Sequence, residues 1–327
     1  MKRWRTILVV VTNPFAREQL AATKAAAAAR RCGARLVLFN AFMIPQPVSD
    51  VPMDSQDAII NAAIRQRRSA LRAIGSRLRV PRNTEFVVRW DYPLDEAIVR
   101  QVRKIKPDLL ISESHRHGRF ARLLLANTDW QLIRDCPCAL WFVRSGALPR
   151  TPRVLVAVDP RHANAKPAGL DERLLRAAVG FTRQLGGRID IVHAYERFED
   201  AVLPGVLRRP LRPQRPSRKE QLVLARTDEL VTRLGAKHGV SAEECILREG
   251  PADEAIPAEA RRLRADVLVM GAVSRSLPAR AVIGNTAERV IDRVGCDVFI
   301  VKPAGFKTRT KGSSQRGKRR EIPSRAA

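Results

Sequence analysis

Residues 266–303, DVLVMGAVSRSLPARAVIGNTAERVIDRVGCDVFIVKP, combine two apolar runs, a loop between glycines and the start of a helix. The first run, Val267–Met270, is continuous, as expected for a strand in a parallel sheet with helices on both faces. It ends at Gly271, and Gly284-Asn-Thr286 then opens a helix predicted over Ala287–Arg293. A strand, a loop and a helix N-terminus in this order present backbone N–H groups to an anion.

The whole chain has 327 residues, of which 45% are hydrophobic, so its length favours two domains over one. Its 60 Lys and Arg residues outnumber 33 Asp and Glu residues, which gives a net charge of +27. This charge predicts attraction to nucleic acid, anionic lipid or acidic proteins, and arginines on solvated faces are the alternative explanation. No apolar run approaches membrane-spanning length, and Ile7–Val11 is too short for a signal-peptide core. We therefore expect a cytoplasmic protein without a membrane partner.

The five cysteines are odd in number and lack paired metal-ligand spacing, which favours a reduced protein. Cys136-Pro-Cys138 is not a Cys-x-x-Cys motif, so we interpret it as two small buried side chains beside a strand rather than as a redox or metal site. Glu113 with His115 and His117 lacks a fourth ligand, and no metal site is predicted.

Strands and helices alternate along the first half of the chain, which predicts a doubly wound α/β domain of five strands and four helices. Strands are predicted at 7–12, 35–40, 84–89, 108–112 and 139–143, and helices at 20–31, 57–78 and from 93 onward. The pattern then restarts. Strands at 154–159 and 188–193 are predicted with helices at 171–185 and 219–238.

The second half repeats the first in a constant register. An offset of 158 residues relates Asp108 to Asp266 and Cys138 to Cys296. The same offset relates two longer motifs, Pro93–Ile98 to Pro251–Ile256 and Ala126-Asn-Thr128 to Gly284-Asn-Thr286. An offset shared from the third strand to the fifth indicates duplication of a whole domain. Proline at the first helical position and carboxylates beside it suit a helix start, so we interpret the first motif as structural.

We accordingly predict a first domain over residues 1–146, a second over 152–304 and a basic disordered tail over 305–327. The segment between the domains, Ser145–Pro152, is short, so the domains should pack together. The last strands, Leu140–Val143 and Val298–Val301, are apolar, and an exposed strand edge invites aggregation. Pairing the two halves edge to edge would protect both strands. A homodimer is left open.

The residues at the loop resemble the universal stress protein family in its tandem, two-domain form. Its nucleotide-binding members carry Gly-x2-Gly-x9-Gly-(Ser/Thr) after the fourth strand and an aspartate at the end of the first. Here the second half has Gly271-x2-Ser274-x9-Gly284-Asn285, with Asp159 closing its first strand. Ser274 and Asn285 depart from the pattern. The resemblance covers residues 5–303, including GNTAERVID and NTDWQLIRDCPCALWFV.

The resemblance implies strand order 3-2-1-4-5 in each half, with a ligand crevice where strands one and four diverge. In the second half, Asp159 would bond adenosine and the backbone near Ala194 would face adenine. The phosphates of ATP would be surrounded by Gly271, Ser274, Gly284, Asn285 and Thr286. Ser274 adds a side chain and disfavours a positive φ there. The alternative is a degenerate member whose glycines serve only turns and helix packing, with Asn285 as an N-cap.

The first half departs further from the motif. Thr12 stands in place of the aspartate, and Glu113, Arg116 and Ala126 replace the three glycines. The Glu113 carboxylate would repel phosphates, so no ATP site is predicted there. No Walker motif, general base or catalytic triad is evident in the chain, so we predict no catalytic residues and leave slow ATP hydrolysis open.

Two segments concentrate positive charge, Leu207–Lys219 and Lys307–Arg325. They would bind nucleic acid or acidic proteins without sequence specificity, and a solvated tail is the alternative. The family resemblance implies a cytoplasmic, non-catalytic stress-survival module that responds to ATP. Two alternatives are a basic nucleic-acid or protein-interaction scaffold and a slow ATPase.

Overall fold

A ten-stranded sheet runs through the whole molecule. A computed structural model of the chain describes residues 3–44, 53–114, 122–144, 146–162, 169–196, 217–274 and 282–303. Within these ranges, each half contributes five strands to the sheet and packs four α-helices against it. The α/β class predicted from the alternating pattern is confirmed.

The first half comprises β1 (Thr6–Val10), α1 (Leu20–Cys32), β2 (Arg35–Phe42), α2 (Met53–Leu78), β3 (Glu85–Trp90), α3 (Leu94–Ile105), β4 (Leu109–Glu113), α4 (Arg122–Asp135) and β5 (Ala139–Val143). The second half comprises β6 (Arg153–Ala157), α5 (Leu170–Leu185), β7 (Arg188–Tyr195), α6 (Arg218–Ala236), β8 (Cys245–Glu249), α7 (Ala252–Arg262), β9 (Val267–Gly271), α8 (Asn285–Arg293) and β12 (Asp297–Val301). A separate two-stranded sheet consists of β10 (Val273–Ser274) and β11 (Val282–Ile283).

The strand order across the sheet is β3-β2-β1-β4-β5-β12-β9-β6-β7-β8. Numbered within its own half, each set of five strands has the order 3-2-1-4-5, as predicted, and all of its pairings are parallel. Both halves are therefore doubly wound, and each has its own point where strands one and four diverge.

The halves meet at β5 and β12, which pair in antiparallel orientation. The register pairs Phe299 with Trp141, and the pairs on either side, Val298 with Phe142 and Ile300 with Leu140, are related by the 158-residue repeat. The junction is therefore a pseudo-twofold contact within one chain. Edge-to-edge pairing of the two last strands, expected from their apolar composition, is confirmed.

Two apolar layers cover the sheet and continue across the junction. Residues of α1, α2, α5 and α6 build the cluster on one face, and residues of α3, α4, α7 and α8 build the cluster on the other. Because helices bury both faces, the central strands consist mainly of continuous apolar residues instead of alternating ones. In the part of the chain that the structure describes, no helix combines the length and apolar character needed to cross a bilayer.

The repeated aspartates act at the entry to the first strand of each half. The Asp108 carboxylate accepts the backbone N–H groups of Arg5 and Thr6, at 2.7 and 3.0 Å. The Asp266 carboxylate accepts the N–H of Arg153 at 2.8 Å. Each aspartate thus ties the start of strand four to the start of strand one, which explains why the residue recurs.

The helix starts predicted from the repeated proline motif are shifted by one residue. Pro93 and Pro251 are the N-caps of α3 and α7, whereas we predicted them at the first helical position. The acidic residues that follow do lie in the first turn, where they complement the helix dipole. These first-turn positions of the acidic residues support our interpretation of the motif as structural.

A buried ion pair crosses the junction. Lys24 of α1 and Asp297 of β12 are 3% and 0% exposed, and Lys24 Nζ lies 2.6 Å from Asp297 Oδ2. The same carboxylate accepts Trp141 Nε1–H at 2.8 Å and the backbone N–H of Arg144 at 3.0 Å. Around it, four aromatic rings pack edge-on or stacked: Trp4, Trp141, Phe181 and Phe299.

At the same junction, each half contributes one cationic side chain that binds a helix of the other half. Arg144, directly after β5, donates from Nη1 to the carbonyls of Ile291 and Val294 at the end of α8. Lys302, directly after β12, donates from Nζ to the carbonyl of Ile133 in α4. The repeat relates Arg144 to Lys302 and Ile291 to Ile133. Each half therefore places a cation at the C-terminal turn of the other half's helix, where the dipole favours positive charge.

Replacing Asp297 by asparagine should destabilise the protein strongly. The asparagine amide would keep an acceptor for Trp141 but leave the buried Lys24 ammonium without its counter-charge, which typically costs about 3–5 kcal/mol. Urea unfolding followed by far-ultraviolet circular dichroism measures the effect. The matched control is Glu229→Gln, which breaks the exposed pair between Glu229 and Arg233 and should cost less than about 1 kcal/mol. Equal losses for the two variants would contradict this account of the junction.

Candidate functional site

The candidate crevice lies at the carboxyl ends of β6 and β9, the neighbouring first and fourth strands of the second half. Their register pairs Val156 with Val269. Asp159 and Ala272 each lie three residues beyond this pair, so the two chain segments leave the sheet side by side. Ligands of open α/β sheets bind at this kind of position, because the following connections run to opposite faces of the sheet.

Asp159 lies two residues beyond the end of β6. We had predicted that it would be the last residue of this strand. Its backbone N–H donates to Asp171 Oδ1 at 3.2 Å, and Asp171 is buried in the first turn of α5. Its own carboxylate is 44% exposed and lies 3.8 Å from His193 Nδ1. The Asp159 carboxylate is therefore held at the mouth of the crevice while it stays accessible to solvent.

His193 in β7 is a site residue that the sequence analysis missed. It is 2% exposed, and its Nδ1 lies 3.1 Å from the carbonyl oxygen of Val158. Because a carbonyl only accepts, Nδ1 carries the proton of this bond. In the first half Asn40 occupies the equivalent strand position and donates to the Val11 carbonyl at 2.7 Å. A polar residue recurring at this point of a buried strand was the signal available in the sequence.

Ala194 follows His193 and is half-buried against the apolar cluster that includes Ala272 and α8. Its predicted place beside the crevice therefore agrees with its location on β7. The residues around it on this face are small, since Ala157 and Ala287 pack against the same cluster.

The loop after β9 begins with a glycine that packs against α5. A Cβ atom on Gly271 would lie 2.8 Å from Cδ2 of Leu170, the first residue of α5. The absence of a side chain at Gly271 thus lets α5 approach the end of β9. This contact matches the helix-packing role that we had kept as the alternative to phosphate contact.

Ser274 lies in an extended backbone. It belongs to β10 and pairs with Val282 of β11, while Val273 pairs with Ile283. The backbone N–H of Gly284 then bonds the carbonyl of Ala272 at 3.3 Å and closes the base of the loop. A positive φ at Ser274, which would have opposed serine, is not present. Arg275 and Arg280, two loop cations that could offset phosphate charge, lie outside the described residues.

Helix α8 starts two residues earlier than predicted. Gly284 is its N-cap, with φ −72° and ψ 137°, and makes no side-chain cap. Asn285 is consequently the first helical residue, and its interpretation as an N-cap is wrong. Helix geometry leaves the N–H groups of the first turn without acceptors inside the helix. The side chains of Asn285 and Thr286 are exposed beside these donors, and Glu288 is the acidic residue of the same turn.

The corresponding helix of the first half starts five residues earlier. Position 127 lies 158 residues before Asn285, yet α4 already begins at Arg122. The N–H groups of Thr128 and Asp129 therefore bond to carbonyls within the helix and are not presented to a ligand. The replacement at Ala126 falls inside this helix, whereas the replacement at Arg116 lies outside the described residues.

Polar groups also fill the end of the first-half sheet. Ser114 Oγ donates to Asp129 Oδ2 at 2.7 Å, and these residues correspond to Ala272 and Ala287 of the second half. Glu113 ends β4 next to them. Carboxylates thus occupy the side of the crevice where phosphates would have to bind, and they would repel them.

Arg67 of α2 packs near the carboxyl end of β2 in the first half. Its guanidinium lies 4.4 Å from the ring centre of Phe42 and 5.5 Å from that of Phe15, and Nη1 is 3.4 Å from Asn40 Oδ1. Burial lowers the pKa of Arg67. Contacts of a cation with aromatic faces are stabilising, so they hold α2 against the end of β2.

The remaining candidate residues fall outside the site or outside the described ranges. His115 and His117 belong to the undescribed part of the chain, as do residues 207–216 and 304–327, which hold most of the two basic segments. Over the described ranges, no three side chains among His, Cys, Asp and Glu are grouped closely enough to hold a metal ion.

Comparisons with known proteins agree with this architecture. A sequence profile of the universal stress protein family matches residues 3–144 and 151–302. Universal stress protein E of Escherichia coli (strain K12) is 29% identical over 225 residues, 68% of this chain and 70% of that protein. Universal stress protein E of Photorhabdus laumondii subsp. laumondii is 25% identical over 320 residues, 96% of this chain and 100% of the relative.

A crystal structure of a putative universal stress protein from Pseudomonas aeruginosa UCBPP-PA14 shares the fold. Its TM-score is 0.65 at 24% identity, and the match covers 92% of this chain and 94% of that one. The two profile matches fall on the two five-stranded halves and together span most of the chain. The chain therefore belongs to the universal stress protein family and carries two of its domains in tandem.

Proposed function

We propose that the second domain binds ATP at the crevice between β6 and β9 and that the protein acts as a non-catalytic, ATP-responsive module in stress survival. The observation that carries the proposal is the arrangement at one sheet edge of the Asp159 carboxylate and the first turn of α8. The first group accepts hydrogen bonds from hydroxyl groups, and the second donates them to anions. A nucleotide carries both of these partners.

The ribose is the partner of Asp159 in this proposal. A carboxylate can accept from both ribose hydroxyls at once, and Asp159 is held by Asp171 on one side and by His193 on the other. The backbone at Ala194 supplies the adenine contact. Small residues beside it, Ala157 and Ala272, leave room for a flat ring against the strand ends.

The phosphates are the partner of the loop and of α8. Backbone N–H groups of the first helical turn and the side chains of Asn285 and Thr286 donate to phosphate oxygens. Gly284 lets the chain approach the ligand closely. Ser274, in the extended strand β10, is a further phosphate contact of the loop in this proposal. Gly271 supports the site by admitting Leu170 of α5 rather than by touching phosphate.

The first domain serves as a structural partner without a nucleotide in this proposal. Its helix α4 has no first turn at the equivalent position, and the Asp129 carboxylate occupies the place of a small residue. We propose functional units at 1–146 and 152–304, with the tail after them. The junction between β5 and β12 then holds the ATP-binding unit against a fixed scaffold.

Replacing Asp159 by alanine should weaken ATP binding at least tenfold, about 1.4 kcal/mol, because the ribose hydroxyls lose their acceptor. Isothermal titration calorimetry at millimolar ATP measures the affinity. Asp292→Ala is the matched control, since it removes an exposed carboxylate from the far end of α8 and should leave affinity unchanged. Absence of saturable binding in the folded wild-type protein would refute the proposed function.

Ser274 should tolerate glycine but not aspartate. Ser274→Gly should change the dissociation constant for ATP by less than about threefold, because the extended backbone needs no glycine. Ser274→Asp should weaken binding by about tenfold or more, since it places a carboxylate near the phosphates. The control for the added charge is Ser241→Asp, at an exposed N-cap of a short 3-10 helix outside the proposed site. Unchanged binding by Ser274→Asp would place the phosphates elsewhere.

The chain should bind one ATP per molecule. The first-domain crevice carries the Asp129 carboxylate where phosphates would bind, so a titration of the full chain should saturate at about one equivalent. Asp159→Ala should weaken ATP binding at this one site, and no second site with high affinity should remain. A stoichiometry of two, or tight binding that survives Asp159→Ala, would assign a site to the first domain.

A further inference from the structure

Two cysteines lie in sulfur contact at the end of α4. Cys136 follows the helix directly and Cys138 precedes β5, with Pro137 between them. Their Sγ atoms are 3.5 Å apart and hydrogen-bonded, and both thiols are free. Cys136 is buried, and Cys138 is partly exposed as a residue.

A buried cation from the other domain lies beside the pair. Lys302 is 6% exposed, and its ammonium bonds the carbonyl of Ile133 in the last turn of α4. Its positive charge favours the thiolate form of both cysteines. An ammonium next to a thiol is the arrangement that makes a cysteine reactive, because the thiolate is the nucleophile.

The two sulfurs are unequal in this environment. Burial raises the pKa of Cys136, but the hydrogen bond with Cys138 and the charge of Lys302 outweigh it, so the net pKa is lowered. The hydrogen bond with Cys136 and burial raise the pKa of Cys138 well above its ordinary value. Burial lowers the pKa of Lys302 to about 8. Cys136 is therefore the more acidic thiol of the pair.

The other cysteines provide internal contrasts. Burial raises the pKa of Cys32, of Cys245 to about 11 and of Cys296 to about 12. Cys296 is the repeat equivalent of Cys138, but Val294 stands at the equivalent of Cys136. The second domain thus has the same turn without a thiol pair, so the fold does not require the pair at this turn.

We propose that Cys136 and Cys138 form a redox-active dithiol that a hydroperoxide oxidises to an intramolecular disulfide. One sulfur attacks the peroxide and becomes a sulfenic acid while the O–O bond breaks and an alcohol, or water from hydrogen peroxide, leaves. The second sulfur then forms the S–S bond and displaces the hydroxyl group as water. The two thiols lose two electrons and two protons, and the peroxide accepts both.

The required movement is small and local. The sulfurs must close from 3.5 Å to about 2.05 Å, which rotation about the two Cα–Cβ bonds supplies most directly. The bond would form next to the contact between Lys302 and Ile133, where the second domain binds α4. Oxidation would therefore alter the structure next to a contact between the two domains.

Thiol counting on the full chain tests the proposal. The folded protein is treated with hydrogen peroxide, the excess is removed, and the remaining thiols are alkylated after unfolding. We expect three of the five cysteines to be alkylated. The tryptic peptide 135–144, which holds both sulfurs, should lose about 2 Da. Cys245→Ser, the matched control, should show the same loss on this peptide.

Variants distinguish disulfide formation between Cys136 and Cys138 from general oxidation of the cysteines. Cys138→Ser should abolish the 2 Da loss, because no second sulfur remains to displace the hydroxyl group. Lys302→Met should slow disulfide formation about tenfold by removing the cation that favours the thiolate, and Lys302→Arg should retain most of the rate. Since Lys302→Met removes an interdomain contact, the Cys138→Ser result stands as an independent test if that variant fails to fold.

Three outcomes would overturn the proposal. One is retention of all five thiols at a peroxide dose that oxidises a free cysteine peptide. Another is equal loss at Cys32, Cys245 and Cys296, which would mean that oxidation follows unfolding of the chain. The third is a disulfide that maps to any pair other than Cys136 and Cys138.

Discussion

The carboxylate of Asp297 is the interaction on which the arrangement of the two domains depends. It is fully buried at the start of β12, and its hydrogen-bonding partners come from the first domain: the ammonium of Lys24, the indole of Trp141 and the backbone N–H of Arg144. A buried charge without partners costs several kcal/mol, about 3–5 when one member of a pair is lost. A slip of β12 against β5 by one residue would move the carboxylate to the other face, away from Lys24. The ion pair therefore specifies the register of the ten-stranded sheet.

The junction has twofold symmetry in its backbone, and an asymmetric ion pair is among its side-chain contacts. The strand register is centred on Trp141 and Phe299, and Arg144 and Lys302 reach equivalent turns of the opposite helices. Such reciprocal contacts are the geometry of an isologous dimer, here within one chain. Asp297 breaks the symmetry, because its repeat equivalent is Ala139. The linker joins the two domains in one order only. A single asymmetric ion pair is therefore enough to specify the register of β12 against β5.

Much of this architecture could be predicted from the sequence, because the repeat and the apolar runs report short-range order. The constant offset placed both copies of the strand-four aspartate, and the apolar last strands predicted the pairing of β5 with β12. Contacts between distant residues had no such signal. Lys24 appears as one more cation in an alanine-rich helix until Asp297 is seen beside it. His193 was hidden for a related reason, since its role is a bond to the Val158 carbonyl, and the β10–β11 pairing depends on backbone geometry alone.

Helices α4 and α8 show how the same fold differs between its two crevices. The two helices end at equivalent residues, Asp135 and Arg293, where Lys302 and Arg144 bind their last turns across the junction. They differ in length, 14 residues against 9, so the whole difference lies at their N-termini. The C-terminal turns bind cations of the other domain, whereas the N-terminal turns lie toward the strand ends. Shortening α8 exposes N–H donors at its crevice, and lengthening α4 satisfies the equivalent donors within the helix. The length difference between the two helices therefore lies at the ends where a ligand would bind.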